Sequence, residues 1–215
     1  MYVPKHFEPA DTAWCHALMA RESFALLVST GADGIPFATH LPLLLDADRG
    51  PRGTIVGHLA RANPHARLLA EGRPTLAVFQ GPHAYVSPGW YVTHPSVPTW
   101  NYVAVHASGR PRLLEEPARV TALLARMVTT YEAGRAEPWR FDSLTEDYVT
   151  AMIRAIVAFE LPIDRLEGKA KLSQNRPAVD QAGAIRGLDA TGDPLARATA
   201  ALMAESSRAK PDRSA

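Results

Sequence analysis

Scarcity bounds this chain before any motif is read. Cys15 is its only cysteine, so no disulfide can form within the chain and no thiolate cluster can hold a metal, which fits a reducing compartment. No stretch approaches the ~20 apolar residues of a membrane span. The segment Met1 to Phe7 carries Pro4 and Lys5 and no apolar run of the kind a signal peptide needs, so the chain is read as cytoplasmic, with no membrane partner. Charge of either sign is not in surplus: 23 Lys+Arg face 22 Asp+Glu, a formal net charge of +1. That balance argues against a chain-wide grip on nucleic acid and leaves only a local basic patch for such a role.

Several motifs are missing as well. There is no Gly-x-Gly-x-x-Gly and no Gly-x-x-x-x-Gly-Lys, which argues against Rossmann and P-loop nucleotide sites. There is no Gly-x-Ser-x-Gly elbow. The histidines are His6, His16, His40, His58, His65, His83, His94 and His106, and none has the His-Glu-x-x-His spacing of a helical zinc site. His94 and His106 have no carboxylates near them in sequence, so no metal is expected. No helix-turn-helix with a basic second helix is evident.

What is present is a succession of short strands followed by helices. Its 215 residues and 47% hydrophobic content give one large domain over 1–215, strand-rich from about 20 to 110, helical from 111 to 207, with a frayed tail at 208–215. Asp11 caps a short helix to Met19. Strands are predicted at Phe24–Val28, Ile35–Leu45, Thr54–Ala60, Thr75–Phe79, Ala84–Val86 and Trp100–Ser108. Gly31 to Gly34, Asp46 to Pro51, Asn63-Pro64 and Gly81-Pro82 are the breaks between them, and one or two helical turns fall at His65–Leu69. Val120, Leu123, Leu124, Met127, Val128 and Tyr131 then repeat with helical spacing, between Pro117 and Gly134. Ser143 with Glu146 forms a capping box for a second helix. A short strand at Ala158–Ile163 and helices near Val179–Ile185 and Leu195–Met203 complete the chain, with Asp193 capping the last. Closely spaced strands and a late block of helices predict an α+β fold built on a small antiparallel barrel.

Four polar constellations could carry chemistry. In Thr39-His40-Leu41-Pro42, a proline inside an apolar strand places that strand at an edge or against a ligand; a plain edge strand is the alternative. In Gly57-His58-Leu59-Ala60-Arg61-Ala62-Asn63-Pro64, period two puts Val56, His58 and Ala60 on one face, with Arg61 and Asn63 at the strand end. A guanidinium there can take a phosphate, and a solvated turn is the alternative. Trp100, Tyr102, Ala104 and His106 share a face that could line a ring-binding slot or serve as core. Lys169 to Arg176 gathers two lysines, Ser173, Gln174, Asn175 and Arg176, a donor set for a phosphate or an exposed basic loop.

Together these segments resemble the PaiB-type proteins, described as FMN-binding negative transcriptional regulators. The resemblance rests on Met1-Tyr2-x-Pro4-x-x-Phe7, His40-Leu41-Pro42, Gly57 to Pro64, Phe79-x-Gly81-Pro82-x-Ala84-Tyr85-Val86-Ser87-Pro88, Val97 to Tyr102 with Val105-His106, and Lys171 to Arg176. It implies an antiparallel split β-barrel related to pyridoxamine-phosphate-oxidase-like proteins, with flanking helices and a C-terminal helical segment. It also implies a homodimer with FMN in the groove between subunits. Carried onto this chain, Thr39, His40, Leu41, Pro42, His58, Ala60, Arg61 and Asn63 form the main FMN wall, and Trp100, Tyr102, Lys171 and Gln174 complete the set. Arg61 and Lys171 are the expected phosphate partners. No catalytic residue is assigned. A regulator would reach DNA through the Lys169–Arg176 segment or the Arg-bearing tail. Two other readings stay open: an FMN-dependent oxidoreductase, with His106 or Tyr102 handling protons, and a haem protein with His40, His58 or His94 as axial ligand.

Overall fold

The computed structural model describes residues 1–9, 11–31 and 33–208. Seven strands and six α-helices are present among them: α1 (Thr12–Arg21), β1 (Phe24–Thr30), β2 (Pro36–Asp46), β3 (Thr54–Ala60), α2 (His65–Ala70), β4 (Thr75–Val86), β5 (Thr99–Gly109), β6 (Arg112–Leu114), α3 (Pro117–Glu132), α4 (Glu146–Arg154), β7 (Ile156–Lys171), α5 (Ala178–Ala190) and α6 (Pro194–Arg208). The expected tail beyond Arg208 lies outside the described residues. The strand order is β3-β2-β1-β4-β5-β7-β6, and β3 also pairs with β7, so the order closes on itself. Every register between named partners is antiparallel.

The chain divides into two interleaved units. One comprises Met1–Leu18, Gln80–Val105 and Glu167–Ala215; the other comprises Met19–Phe79 and His106–Leu166. They are called the first and second unit below.

In the second unit β2 changes partner along its length. Pro36 to Pro42 pair with β1, and Leu43 to Asp46 pair with β3. Pro42, which has no N–H to give, sits at the end of the half paired on one side only, as its chemistry requires. Helix α3 lays Val120, Leu123 and Met127 on Leu44, Val56, Leu114 and Ala158 to form an apolar cluster. Its i, i+3, i+7 spacing is the one that predicted the helix. In the first unit α5 and α6 pack together, and Asp193 caps α6 by accepting from the Ala196 N–H at 2.9 Å.

Three local expectations are corrected, and one short strand was not foreseen. Gly81-Pro82 does not turn the chain: β4 runs unbroken through it, because its register with β1 ends at Val78 and the missing proline donor falls beyond that pairing. The strand expected at 158–163 extends over sixteen residues, since its polar second half still pairs or packs. Ser143 does not cap α4: its hydroxyl donates to the Arg140 carbonyl, and Thr145 takes the cap, accepting from the Tyr148 N–H. Strand β6, three residues long, gave no periodic signal to read.

Candidate functional site

Eight of the expected site residues lie in the second unit. The pleat of β2 separates the first four of them. Leu41 is core and Thr39 turns inward, whereas His40 is exposed on the opposite face, its ring 6.2 Å from Phe24 and nearly parallel to it. On β3, His58 lies opposite Ala158 of β7 and shares a face with Val56, at the border of the cluster beneath α3. Its Nδ1 is buried with no hydrogen-bond partner, and burial holds the imidazole's pKa below the ordinary value.

Ala60 ends the strand, and its carbonyl accepts from the Asn63 N–H at 2.9 Å to make the turn. Arg61 reaches across to the end of α4. Its backbone N–H donates to the Ala155 carbonyl (2.9 Å), Nε to the Arg154 carbonyl (2.8 Å) and Nη2 to the Ile156 carbonyl (2.7 Å). These bonds satisfy carbonyls left open where a helix ends. They use one edge of the guanidinium, and Nη1 takes part in none of them.

Asn63 and Thr39 meet around His65. Asn63 Nδ2 donates to Thr39 Oγ1 at 3.4 Å, Asn63 Oδ1 accepts from the His65 N–H at 2.9 Å, and Thr39 Oγ1 lies 2.9 Å from His65 Nδ1. The far ring nitrogen is 2.9 Å from Ser29 Oγ, which is 2.6 Å from Thr75 Oγ1. Sequence reasoning missed His65, Ser29 and Thr75. The available signal was a hydroxyl at an inward position of each of two apolar strands, facing a histidine that opens a helix.

The other four expected residues lie in the first unit. Trp100, 54% exposed, has its ring 6.1 Å from Tyr85 and 6.3 Å from His83. Tyr102 faces Lys169, whose Nζ is 5.3 Å from its ring, 5.5 Å from the Tyr2 ring and 3.0 Å from the Tyr2 carbonyl. Lys169 is only 8% exposed, so this segment is not an exposed basic loop. Lys171 donates to Thr99 Oγ1; burial lowers its pKa, with Tyr102 opposing and Lys169 adding to the shift. Gln174 closes the turn after β7: Nε2 donates to the Ala170 carbonyl, and Oε1 accepts from the Leu172 N–H at 2.7 Å. Within that turn Ser173 adopts a left-handed backbone with φ 64°, and its Oγ accepts from buried Asn101 Nδ2 at 2.9 Å.

Beside this, residues 90–96 are pinned from below. Asp180 Oδ1 accepts from the Val92 N–H (2.8 Å) and the Thr93 N–H (3.1 Å), and Arg176 stands over the Tyr91 ring at 4.6 Å while donating to Ser96 Oγ at 3.2 Å. Burial works against the charged form of Asp180, but these backbone donors and the nearby Arg176 hold its pKa below the ordinary value. Trp90 rests on two α5 glycines: a Cβ on Gly187 would fall 2.2 Å from its ring, and one on Gly183 would fall 2.1 Å from its carbonyl oxygen.

The donor chemistry fits a phosphorylated flavin in either unit. The second offers a guanidinium edge, an amide N–H and an imidazole nitrogen without a partner; the first offers a desolvated ammonium beside a tyrosine ring.

The fold is that of flavin-binding split-barrel proteins. The chain superposes on the FAD and heme binding protein from Mycobacterium smegmatis with a TM-score of 0.59 and 18% identity, covering 82% of this chain and 79% of that one. With the flavocytochrome Anf3 from Azotobacter vinelandii the TM-score is 0.58 and the identity 17%, over 79% of this chain and 72% of that one. Residues 1–165 match the family described as "Putative FMN-binding domain", and the chain belongs to that family. It is 36% identical over 203 residues to "Protease synthase and sporulation protein PAI 2" of Bacillus subtilis (strain 168), across 94% of this chain and 96% of that protein. FMN is the cofactor. No helix among the described residues is long and apolar enough to cross a membrane.

Proposed function

We propose that this protein is an FMN-binding negative regulator of transcription that works as a homodimer. The observation that carries the reading is the similarity to the Bacillus protein over nearly the full length of both chains. FMN, when bound, supplies a ring system that changes charge and shape on reduction. The chain's own part is to hold it. Arg61 Nη1 and the Asn63 amide serve acceptor oxygens on one wall, and Lys171 serves an anion in the other unit. His58 offers its unpartnered nitrogen.

Dimerisation is supported by an apolar sheet face. Phe24, Leu26 and Val28 of β1 share a pleat face with Ala38, His40 and Pro42 of β2 and with Leu76 and Val78 of β4, and Phe24 is 68% exposed. A face of this kind is one that a second copy of the chain would cover.

The regulatory output needs a route to DNA. Lys169, Lys171 and Arg176 are engaged within the chain, which leaves other basic groups to make the contact. The test is threefold. Purified protein should retain a flavin spectrum through gel filtration, Arg61→Ala or Lys171→Ala should weaken FMN binding, and duplex from upstream of its own gene should bind in a salt-dependent manner. Unchanged FMN affinity in both variants removes the phosphate assignment, and no DNA binding at low salt removes the regulator.

An FMN-dependent oxidoreductase is favoured by one observation, the Tyr102 ring beside the Lys169 and Lys171 amines. Sustained oxidation of a nicotinamide reductant that falls in Tyr102→Phe would establish it.

A further inference from the structure

Five side chains of the second unit form one chain of hydrogen bonds, and its far end fixes the direction of every link. The Arg73 carbonyl can only accept, so the Thr75 hydroxyl gives its single proton there, at 2.8 Å. Thr75 Oγ1 therefore accepts from Ser29. Ser29, its own proton committed, accepts from His65 Nε2. The imidazole is thus protonated on Nε2.

His65 is 0% exposed, and the side chains that meet its ring are Ser29, Thr39 and, edge-on at 5.4 Å, Phe37. None of them is charged. The charged groups of the same helix and its exit, Arg67, Glu71 and Arg73, pair with one another on the surface. Burial lowers the pKa of His65, so Nδ1 carries no proton at neutral pH. Nδ1 accepts from Thr39, and Thr39, with nothing left to give, accepts from Asn63.

We infer that His65 is a positioning residue for the ligand wall: the one-directional chain through it makes Thr39 Oγ1 an acceptor only and leaves the second Nδ2 hydrogen of Asn63 as the donor. The inference rests on reading Thr39 and Asn63 as part of the FMN wall. It adds a specificity rule to that reading. A ligand acceptor, a phosphate or carbonyl oxygen, meets Asn63, whereas a ligand donor such as a ribityl hydroxyl meets Thr39.

Thr75→Val tests it from outside the wall. Without the terminal acceptor, the Ser29 hydroxyl turns back to His65. The ring then carries its proton on Nδ1, and Thr39 is free to donate outward. Nitrogen-15 spectra of histidine-labelled protein at pH 7.5 should show neutral His65 protonated on Nε2 in the wild type and on Nδ1 in the variant. FMN affinity, read by fluorescence quenching, should fall about tenfold, the effect of one misdirected hydrogen bond. His65→Gln, whose amide can give and accept in the same directions, should bind FMN like the wild type, whereas His65→Phe should not.

A wild-type His65 that is charged, or protonated on Nδ1, overturns the inference outright. A tautomer switch with unchanged FMN affinity, while Asn63→Ala loses FMN, overturns the positioning role and leaves the wall standing. Unchanged affinity in Asn63→Ala removes the wall itself and the positioning role with it. Melting temperatures measured on each variant separate these outcomes from misfolding.

Discussion

Acidification should destabilise this protein well above the pH at which its carboxylates begin to protonate. His65 is fully buried and His58 half-buried, and both have pKa values lowered by burial. The unfolded chain takes up protons on these histidines near the ordinary value of about 6.5, whereas the folded chain takes them up only at lower pH. Stability is therefore complete above about pH 6.5 and falls as pH drops from there toward the folded value. A histidine that stays neutral in the fold contributes a slope of about 1.4 kcal/mol per pH unit. From pH 6.5 to 5.0 that slope sets a ceiling of about 2 kcal/mol for His65, and His58, being less buried, adds less. For a chain of this size that ceiling corresponds to a fall in melting temperature of at most roughly 4–8 °C.

Glu160 and Asp180 do not contribute in this window. Their folded pKa values lie below the ordinary carboxylate range, so their stabilisation is lost only at more acid pH. Calorimetry at pH 7.5 and 5.0, at constant ionic strength, reads the effect, and His65→Gln should remove most of it. Equal melting temperatures at the two pH values, or an undiminished slope in His65→Gln, would refute the reasoning.

Three further predictions concern other contacts. Glu160 accepts from Arg49 Nη2 at 2.6 Å and Arg119 Nη2 at 2.9 Å, so Glu160→Gln should cost about 1–3 kcal/mol in urea unfolding, less at high salt. Gly187→Ala drives a methyl into the Trp90 ring and should cost about 1–3 kcal/mol, with a shift in tryptophan emission. Asp180→Ala strands two backbone donors and should cost about 2–3 kcal/mol, whereas Asp180→Asn, which keeps an acceptor, should cost less than half of that.

The parts of the fold written in local chemistry were legible. Period-two strands such as Thr54–Ala60, the helical repeat from Val120 to Tyr131 and the Asp193 cap all stand where the residues put them. Signals that depend on a distant partner misled. Gly81-Pro82 reads as a turn until the β1 register, which ends at Val78, places the proline's missing donor beyond that pairing. For Lys169 and Lys171 the residues alone leave a phosphate donor set and an exposed basic loop both open, and only Tyr2, Tyr102 and Thr99, far along the chain, show that the lysines are covered. The site is harder still. Arg61 was legible as a fork at a strand end, but its engagement with the carbonyls of Arg154 and Ile156 depends on ninety intervening residues. His65 was invisible because a lone histidine after Asn-Pro carries no motif; its meaning comes from hydroxyls on three separate strands.

The family match stops at residue 165, but the first unit does not. Asn101 finds its partners in Ser173 and Met203, and the N–H groups of Val92 and Thr93 find theirs in Asp180. A truncation designed on the family boundary would cut β7 before its last six residues and delete α5 and α6. It would leave the Asn101 amide and the face of Trp90 that rests on α5 open to water. Residues 166–208 are thus part of what lets the family-matching segment adopt its shape, and expression vectors or domain swaps built from this chain should carry them.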